Sequence, residues 1–585
     1  MTRKLLSLLS LPLVWSCGSS RTAPEPTTPT GTAQLTSEAE GPLKHRPKPT
    51  SPEISPADLM TRLYIFADDS MLGREAGTEG NVRGTNYLAA EAQRIGLLPA
   101  GENGSYFQTV PLIQRVPDSS STLTIDGTRL RLGEDFIPLP IYPSFLPYGS
   151  ELQAENPPAI FAGRLGDSLT ASFLAQATGK LVVFAPALGP DGKPTSSLYA
   201  KGPPPAVPGA AGAAFVTLEL VPKEQLEFLL APQALVTTTV EETRRTPLGM
   251  LISSAVAEQL FGAPAATLKP GTTGKPLRGH AKFTATPSSA PARNVVAVLP
   301  GSDPRLKGQY VAIGAHNDHL GVQTAAEAVD HDSVRLFNAV SRPEGQNKPP
   351  KELTPEQSAA VRRELDSLRQ VRPARADSVF NGADDDGSGS VTVMEIAEAL
   401  VRDRQRPKRS MLFVWHTAEE KGLYGSQWFT DHPTVPRDSI VAQLNMDMVG
   451  RGRKSDTERG GPNALGLVGS RRLSTEMGDL IERINRARQP PFEIDYTYDA
   501  NGHPDNVYCR SDHYMYARYG IPIAFFSSGI HRDYHMVTDE PQYIDYSRMA
   551  RIAAFIRDVA RGVADLDHRP VVDQPKPDPK APCQQ

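Results

Sequence analysis

Five short stretches place carboxylates and imidazoles just past apolar runs, where a folded chain would present them together. The first is Tyr310-Val-Ala-Ile-Gly-Ala-His316-Asn317-Asp318-His319. A strand buried on both faces would deliver His316, and a carboxylate two residues on suits a metal-ligating imidazole whose partner fixes its tautomer. The second is Asn381-Gly-Ala-Asp384-Asp385-Asp386-Gly387-Ser388-Gly389. Three adjacent acids repel one another unless something positive lies among them. The third, Met411-Leu-Phe-Val-Trp-His416-Thr-Ala-Glu419-Glu420, ends in two carboxylates that point in different directions. One can bind a cation while the other stays free to carry a proton. The fourth, Leu444-Asn445-Met446-Asp447-Met448-Val449-Gly450-Arg451, embeds an acid in an apolar strand, where desolvation is costly unless the acid is paired or metal-bound. The fifth, Gly529-Ile-His531-Arg532-Asp533-Tyr534-His535-Met536-Val537-Thr538-Asp539, offers two histidines for one ligand position.

Each stretch alone also has an ordinary structural reading. These are solvated loop histidines, a helix cap, a charged helix start, and an Asp447–Arg451 ion pair. The second stretch has a sharper rival, because Asp384-x-Asp386-x-Ser388-Gly389-x5-Glu395 matches the spacing of an EF-hand calcium loop. Against that rival, Pro373 and Asn381-Gly382 break the chain where an entering helix is needed, and no second hand accompanies it.

The elements that must position these residues begin at Ser55-Pro56-Ala57-Asp58, an N-cap, a proline at the first helical position and an acid in the first turn. A second helix is expected over 81–95, closed by Gly96, with the loop Gly73-Arg74-Glu75-Ala76-Gly77-Thr78 between the two. Residues 136–277 have a different texture, with short β runs, Pro/Gly clusters and small-residue patches, and no acidic cluster at ligand spacing. They read as an inserted β-rich, non-catalytic module. From about 293, short apolar strands (295–299, 310–314, 411–415, 441–444, 465–468, 521–526) alternate with helices (391–401, 476–487, 547–563). That alternation argues an α/β sandwich with buried strands, whose sites gather where strands end.

The ends read differently from the middle. Arg3-Lys4 followed by an apolar run over 5–15 has the form of an export leader, too short to span a bilayer. Ser16-Cys17-Gly18 behind it resembles a lipobox, in which Cys17 is acylated. Residues 18–55, rich in Pro, Thr, Ser and Gly, read as a tether, and 567–585 as a disordered tail. The chain has 585 residues with 62 Lys+Arg against 66 Asp+Glu, a net charge of −4. No basic excess exists to neutralise phosphates, so no nucleic-acid partner is expected, and membrane contact only through a lipid on Cys17. Three distant cysteines make neither a disulfide framework nor a four-cysteine zinc site, and Cys509 reads as a buried free thiol.

Taken in order, the five stretches resemble the M28 family of zinc peptidases: His-x-Asp, Gly-Ala-Asp-Asp-x-x-Ser-Gly, Ala-Glu-Glu-x-Gly, Asp-Met-x-Gly, and a late His before Thr-Asp. Ser511-Asp512-His513 and Arg74-Glu-Ala-Gly77-Thr78 are similar to it as well, and 136–277 is similar to the protease-associated (PA) domain of some members. The resemblance implies a three-layer α/β/α sandwich with a mixed, mostly parallel sheet, built from 56–135 and 278–566 around the PA-like insert. It implies two Zn²⁺, with His316 and Asp447 on one, Glu420 and His535 on the other, and Asp385 bridging. It makes Glu419 the general base, Asp318 the partner that orients His316, and His319 and His513 hydrogen-bonding neighbours. Residues 323–378 exceed the family's usual spacing and read as an insertion carrying a helix from 354 to about 370. The implied activity is an exported aminopeptidase acting on peptides. A glutaminyl cyclase or carboxypeptidase on the same scaffold, a silent binding lipoprotein, and a calcium-regulated envelope protein are the alternatives.

Overall fold

The computed structural model describes residues 40–139, 151–189, 192–196, 198, 207–236, 248–581 and 583–585. The expected leader with Cys17, and the tether up to residue 39, lie outside them. The described chain forms two compact units, one of Pro111–Ser288 and one that joins the residues before Pro111 to Ser289–Gln585.

The second unit holds all five acid- and histidine-bearing stretches. Its sheet has nine strands: β1 (Leu98–Pro99), β2 (Phe107–Val110), β3 (Ala292–Leu299), β4 (Tyr310–His316), β5 (Ser410–His416), β6 (Ile440–Met446), β7 (Ala464–Val468), β8 (Glu493–Asp495) and β9 (Ile523–Ser527). Their order is β1-β3-β5-β4-β6-β9-β7-β8, with β2 also on β3. The central strands β5, β4, β6 and β9 are parallel, whereas β3 and β7 run antiparallel to their neighbours β5 and β9. Successive side chains of β3, β4 and β5 alternate between two cores. Val295, Ala297, Val311, Ile313, Phe413 and Trp415 enter one, and Val296, Ala312, Leu412 and Val414 the other. Both faces are therefore covered, which is why these strands read as unbroken apolar runs.

The insertion carries α3 (His331–Ser341) and α4 (Pro355–Val371), and the first core is closed by α1 (Pro56–Phe66), α2 (Glu79–Ile95), α5 (Gly389–Arg402), α7 (Thr475–Arg486) and α9 (Tyr546–Ala564). The second core is closed by α6 (Tyr424–Asp431) and α8 (His513–Ala517). Ser55 caps α1, its side chain accepting from the Asp58 N–H, and Gly96 ends α2 in the left-handed region at φ 91°. The expected α/β sandwich with a mixed, largely parallel sheet is the fold observed.

The other unit is wider than the expected 136–277. Strands Leu112–Pro117 and Thr122–Ile125 pair with the 15-residue strand Thr273–Pro287, so 111–135 leaves the second unit and joins this one. Its ten strands include a parallel run through Leu181–Ala185, Gly212–Phe215 and Leu248–Ile252, packed around two apolar clusters.

Two expectations for the ends are corrected. Residues 40–55 include a stretch held to the second unit, with the Gly41 N–H donating to the Gln542 carbonyl at 2.7 Å and the Thr50 hydroxyl to Glu398 at 2.8 Å. The tail 567–585 is docked, not loose. Cys583 forms a disulfide with Cys509, and the Gln585 side chain bonds the Tyr508 N–H and the carbonyls of Tyr498 and Ala500. Cys509 is thus no free thiol. Among the described residues, no helix is long and apolar enough to cross a membrane.

Candidate metal centre

Parallel strands β4, β5 and β6 end side by side, with His316 in register with His416. Their C-terminal exits therefore deliver His316, Glu419-Glu420 and Asp447 to one edge of the sheet. Asp385 arrives from the loop before α5, and His535 from the loop after β9, where it sits at φ 57°.

The five expected ligands meet there. Nε2 of His316 lies 3.1 Å from Oδ1 of Asp385 and 3.8 Å from Oδ1 of Asp447. Nε2 of His535 lies 3.0 Å from Oδ2 of Asp385 and 3.0 Å from Oε2 of Glu420. Glu419 joins His316 and Asp447 in one close set of donor atoms, and His319 joins Asp385 and Glu420 in another. Asp385 and His316 are buried, whereas Glu419 and Glu420 keep partial exposure, so the cluster opens on their side.

The supports around it account for most of the remaining motif residues. Asp539 accepts from the N–H groups of Asp384 (2.9 Å) and Asp385 (3.1 Å), which sets the Asp385 backbone. Asp386 turns inward and accepts from the His316 N–H at 3.0 Å. Asp384 accepts from the Gly450 N–H at 2.6 Å and faces His531 Nε2 at 3.1 Å. His531 therefore belongs to this outer layer. Arg74 donates to the carbonyls of Phe66, Asn381 and Gly382 at 2.7–2.9 Å, tying the early Gly-punctuated loop to the acidic one. Ser511 donates to Asp447 Oδ2 at 2.8 Å. The nearest acceptor for His316 Nδ1 is the main-chain carbonyl of Asp318 at 3.1 Å, with the Asp318 carboxylate at 3.7 Å.

Two alternative readings of the sequence fail on this geometry. Glu395 is engaged by Arg62 and the Ser55 N–H, while Asp384 and Asp386 face backbone N–H groups, so no EF-hand ligand set forms. Arg451 pairs with Asp456 and Asp533, leaving Asp447 to Ser511 and His316.

Of the two histidines expected as hydrogen-bonding neighbours, His319 faces Glu420 and His513 packs on a ring, while Tyr534 had no role from sequence. His319 directs Nδ1 at Glu420 Oε1 (2.7 Å), a contact its place in His316-x-Asp318-His319 could have announced. The Tyr534 ring stacks on His535 with centroids 3.8 Å apart, and nothing in its spacing marked it. His513 packs flat on Phe525 at 4.4 Å, and burial pushes its imidazole down to about 3.

The electrostatics of the polypeptide alone call for cations. Burial pushes the His535 imidazole down, yet Glu420 and Asp385 outweigh it and hold it up at about 10. His316 is held well above its ordinary value against burial by Glu419, Asp318, Asp385 and Asp447. Burial, and then Asp447 and Glu420 against the pull of His316, push the Glu419 carboxyl well above the usual carboxylate range. The donor set fits metal ions. Tetrahedral bonds of about 2.0–2.1 Å set donor atoms roughly 3.3 Å apart, and nitrogen with carboxylate oxygen is a common zinc environment. Asp385 supplies one oxygen to each imidazole and so can serve two ions.

A mixed, mainly parallel α/β unit with histidines and acids converging past its strand ends defines an α/β domain with a candidate metal centre. The comparisons specify it further. Residues 294–560 match the model of Peptidase family M28. Leucine aminopeptidase 1 of Pyrenophora tritici-repentis is 31% identical over 186 residues, 29% of this chain and 44% of that protein. Leucine aminopeptidase 1 of Sclerotinia sclerotiorum is 32% identical over 149 residues, 25% of this chain and 36% of that protein. The chain thus spans less than half the length of these relatives. A zinc aminopeptidase from Bacillus subtilis superimposes with a TM-score of 0.42 at 16% identity, over 87% of this chain and 95% of that one.

Proposed function

We propose that this protein is an exported, zinc-dependent aminopeptidase that removes N-terminal residues from peptides. One observation carries the reading: Asp385 lies between two imidazoles, 3.1 Å from His316 and 3.0 Å from His535. His316 and Asp447 would hold one zinc, Glu420 and His535 the other, with Asp385 shared. When bound, the pair would polarise the scissile carbonyl and lower the pKa of a bound water toward about 7.

The chain's own residues supply the rest. Glu419 is held at the mouth beside His316 and Asp447 and would accept the water's proton, then return it to the leaving amine. Its backbone N–H is fixed by Asp318 at 3.1 Å. Ser511 orients Asp447, and Asp539 and Arg74 hold the Asp385 loop. The leucine aminopeptidase relatives favour attack at the N-terminal end. The Cys509–Cys583 disulfide supports an oxidising compartment, and so export. Unit Pro111–Ser288 would be the PA-like, non-catalytic module.

The test is a panel of peptides with free or blocked N-termini, with and without a chelator, alongside metal analysis. Cleavage of free-amino peptides only, lost with the chelator, at about two zinc per chain, is expected. Release of C-terminal residues from blocked peptides would mean a carboxypeptidase instead, and cyclisation of N-terminal glutamine a cyclase.

A further inference from the structure

Arg510 follows the short turn Val507–Cys509 and reaches the loop that carries His535. Its Nη2 donates to the Tyr534 hydroxyl at 3.2 Å, and the Tyr534 ring covers His535. Its Nη1 donates to Asn347 Oδ1 at 3.0 Å and to the Asp505 carbonyl at 3.4 Å. All three acceptors are neutral. Among the described residues, no carboxylate comes within 4.0 Å of this guanidinium. Arg451 and Arg62 are by contrast tied to acids, Arg451 to Asp456 and Asp533, Arg62 to Glu395 and Glu398.

A guanidinium carries five N–H donors. The three bonds leave Nε–H and one Nη2–H without an acceptor among the described residues, and Nε and Nη2 share one edge of the fork. Arg510 is partly exposed. Paired N–H groups on one edge match the two oxygens of a carboxylate. The edge is also pre-set from outside the family segment's motifs. Asn347 ends the turn Gly345–Asn347 of the 323–378 insertion, and the neighbouring Gln346 N–H donates to the Tyr534 carbonyl at 3.1 Å.

We propose that the free edge of Arg510 binds a carboxylate of the peptide substrate, making short peptides with a free C-terminus, dipeptides foremost, the favoured class. The Tyr534 ring is the one side chain between Arg510 and His535, so this cation lies beside the centre. An extended peptide advances about 3.3 Å per residue, so the carboxylate of a dipeptide ends close to the reacting carbonyl. This inference rests on the peptidase reading above.

The test compares kcat/KM, on the zinc-loaded enzyme, for a dipeptide, its C-terminal amide, and that amide with Asp or Asn as second residue. The dipeptide should exceed its amide about ten- to hundredfold, mainly through KM. Arg510→Gln should bring the ratio to within about threefold, and Arg510→Lys should keep part of it. A preference for the Asp amide over the Asn amide would place the recognised carboxylate on a side chain. No preference for any acid-bearing peptide, or a ratio that survives Arg510→Gln, overturns the proposal. Calorimetric binding of the dipeptide to Glu419→Gln, with and without Arg510→Gln, gives a readout free of turnover. If nothing is cleaved yet binding depends on Arg510, the peptidase reading fails and the carboxylate site stands. If peptides are cleaved without regard to charge, the reverse holds.

Discussion

Oδ1 of Asp318 accepts a hydrogen bond from the backbone N–H of Glu419 at 3.1 Å, joining the exit of β4 to the exit of β5. The acid that follows a candidate ligand therefore also fixes the chain of the candidate base. Asp318→Ala should leave the Glu419 N–H without its partner and lower kcat/KM about 10–100-fold, the usual cost of losing a residue behind a metal site. Asp318→Asn keeps an oxygen for that N–H and should retain more activity than the alanine variant. Equal losses in the two would show that charge, not this hydrogen bond, is what matters.

Glu419→Gln removes the proton acceptor and keeps the shape. Loss of a general base costs about 10²–10⁴ in kcat. Metal content should stay at the wild-type level, because the other acids and imidazoles are untouched. Persistent hydrolysis in a fully metallated variant would falsify the assignment of Glu419.

Removing metal should destabilise the second unit. Asp385, Glu420 and Asp447 gather around His316 and His535 at the sheet edge, and a cation bound only in the folded state stabilises by mass action. At a hundredfold excess over Kd this amounts to about 2.7 kcal/mol. A chelator should therefore lower the midpoint of thermal unfolding by several degrees, and zinc should restore it. A midpoint indifferent to both would argue against a high-affinity site.

The parts of this molecule that could be read in advance are those with a local physical signature. Strands β3 to β6 and β9 announced themselves as apolar runs because both faces are buried, and the acids at their ends stood out against that background. The residues by themselves leave His531 and His535 competing, and the resemblance favours His535 through its spacing to Thr538-Asp539. The difference is three-dimensional: His531 turns to Asp384, His535 to Asp385 and Glu420. Arg74 was a motif letter without a job until its carbonyl partners, more than three hundred residues away for Asn381 and Gly382, came into view. The unit boundary at 111 was hidden because β2 and the strand Leu112–Pro117 are nearly continuous yet belong to different sheets.

The docked tail was missed for a related reason, since a proline-rich, apolar-poor segment carries no sign of what it touches. Cys583 bonds Cys509, 74 residues away, directly before Arg510 and Ser511. Cys583→Ser should cost about 4 kcal/mol in stability, as expected for a closed loop of this length. Because Ser511 holds Asp447, reduction should also lower activity in the wild type. Unfolding with and without reductant, beside the Cys583→Ser variant, checks both effects. Reductant should change nothing in the variant.

Arg451 and Asp456, both fully buried, give the unit a defined response to acid. Burial pushes the Asp456 carboxyl up, but the Arg451 guanidinium at 2.8 Å, His531 and the Arg453 N–H outweigh it and hold it well below the ordinary carboxylate range. A group whose pKa is depressed by folding stabilises the native state above its unfolded value, near 3.9, and loses that contribution as pH falls through the folded value. Stability from this pair should be complete at neutral pH and decline from about pH 5 downward. Asp456→Asn removes the charge while Arg451 retains Asp533, so its cost at pH 7 should be about 3 kcal/mol, the low end for a broken buried pair. The difference between wild type and variant, followed by urea unfolding from pH 7 to pH 3, should shrink steadily toward acid. A gap that stays constant over that range would show that Asp456 acts through packing and not through its charge.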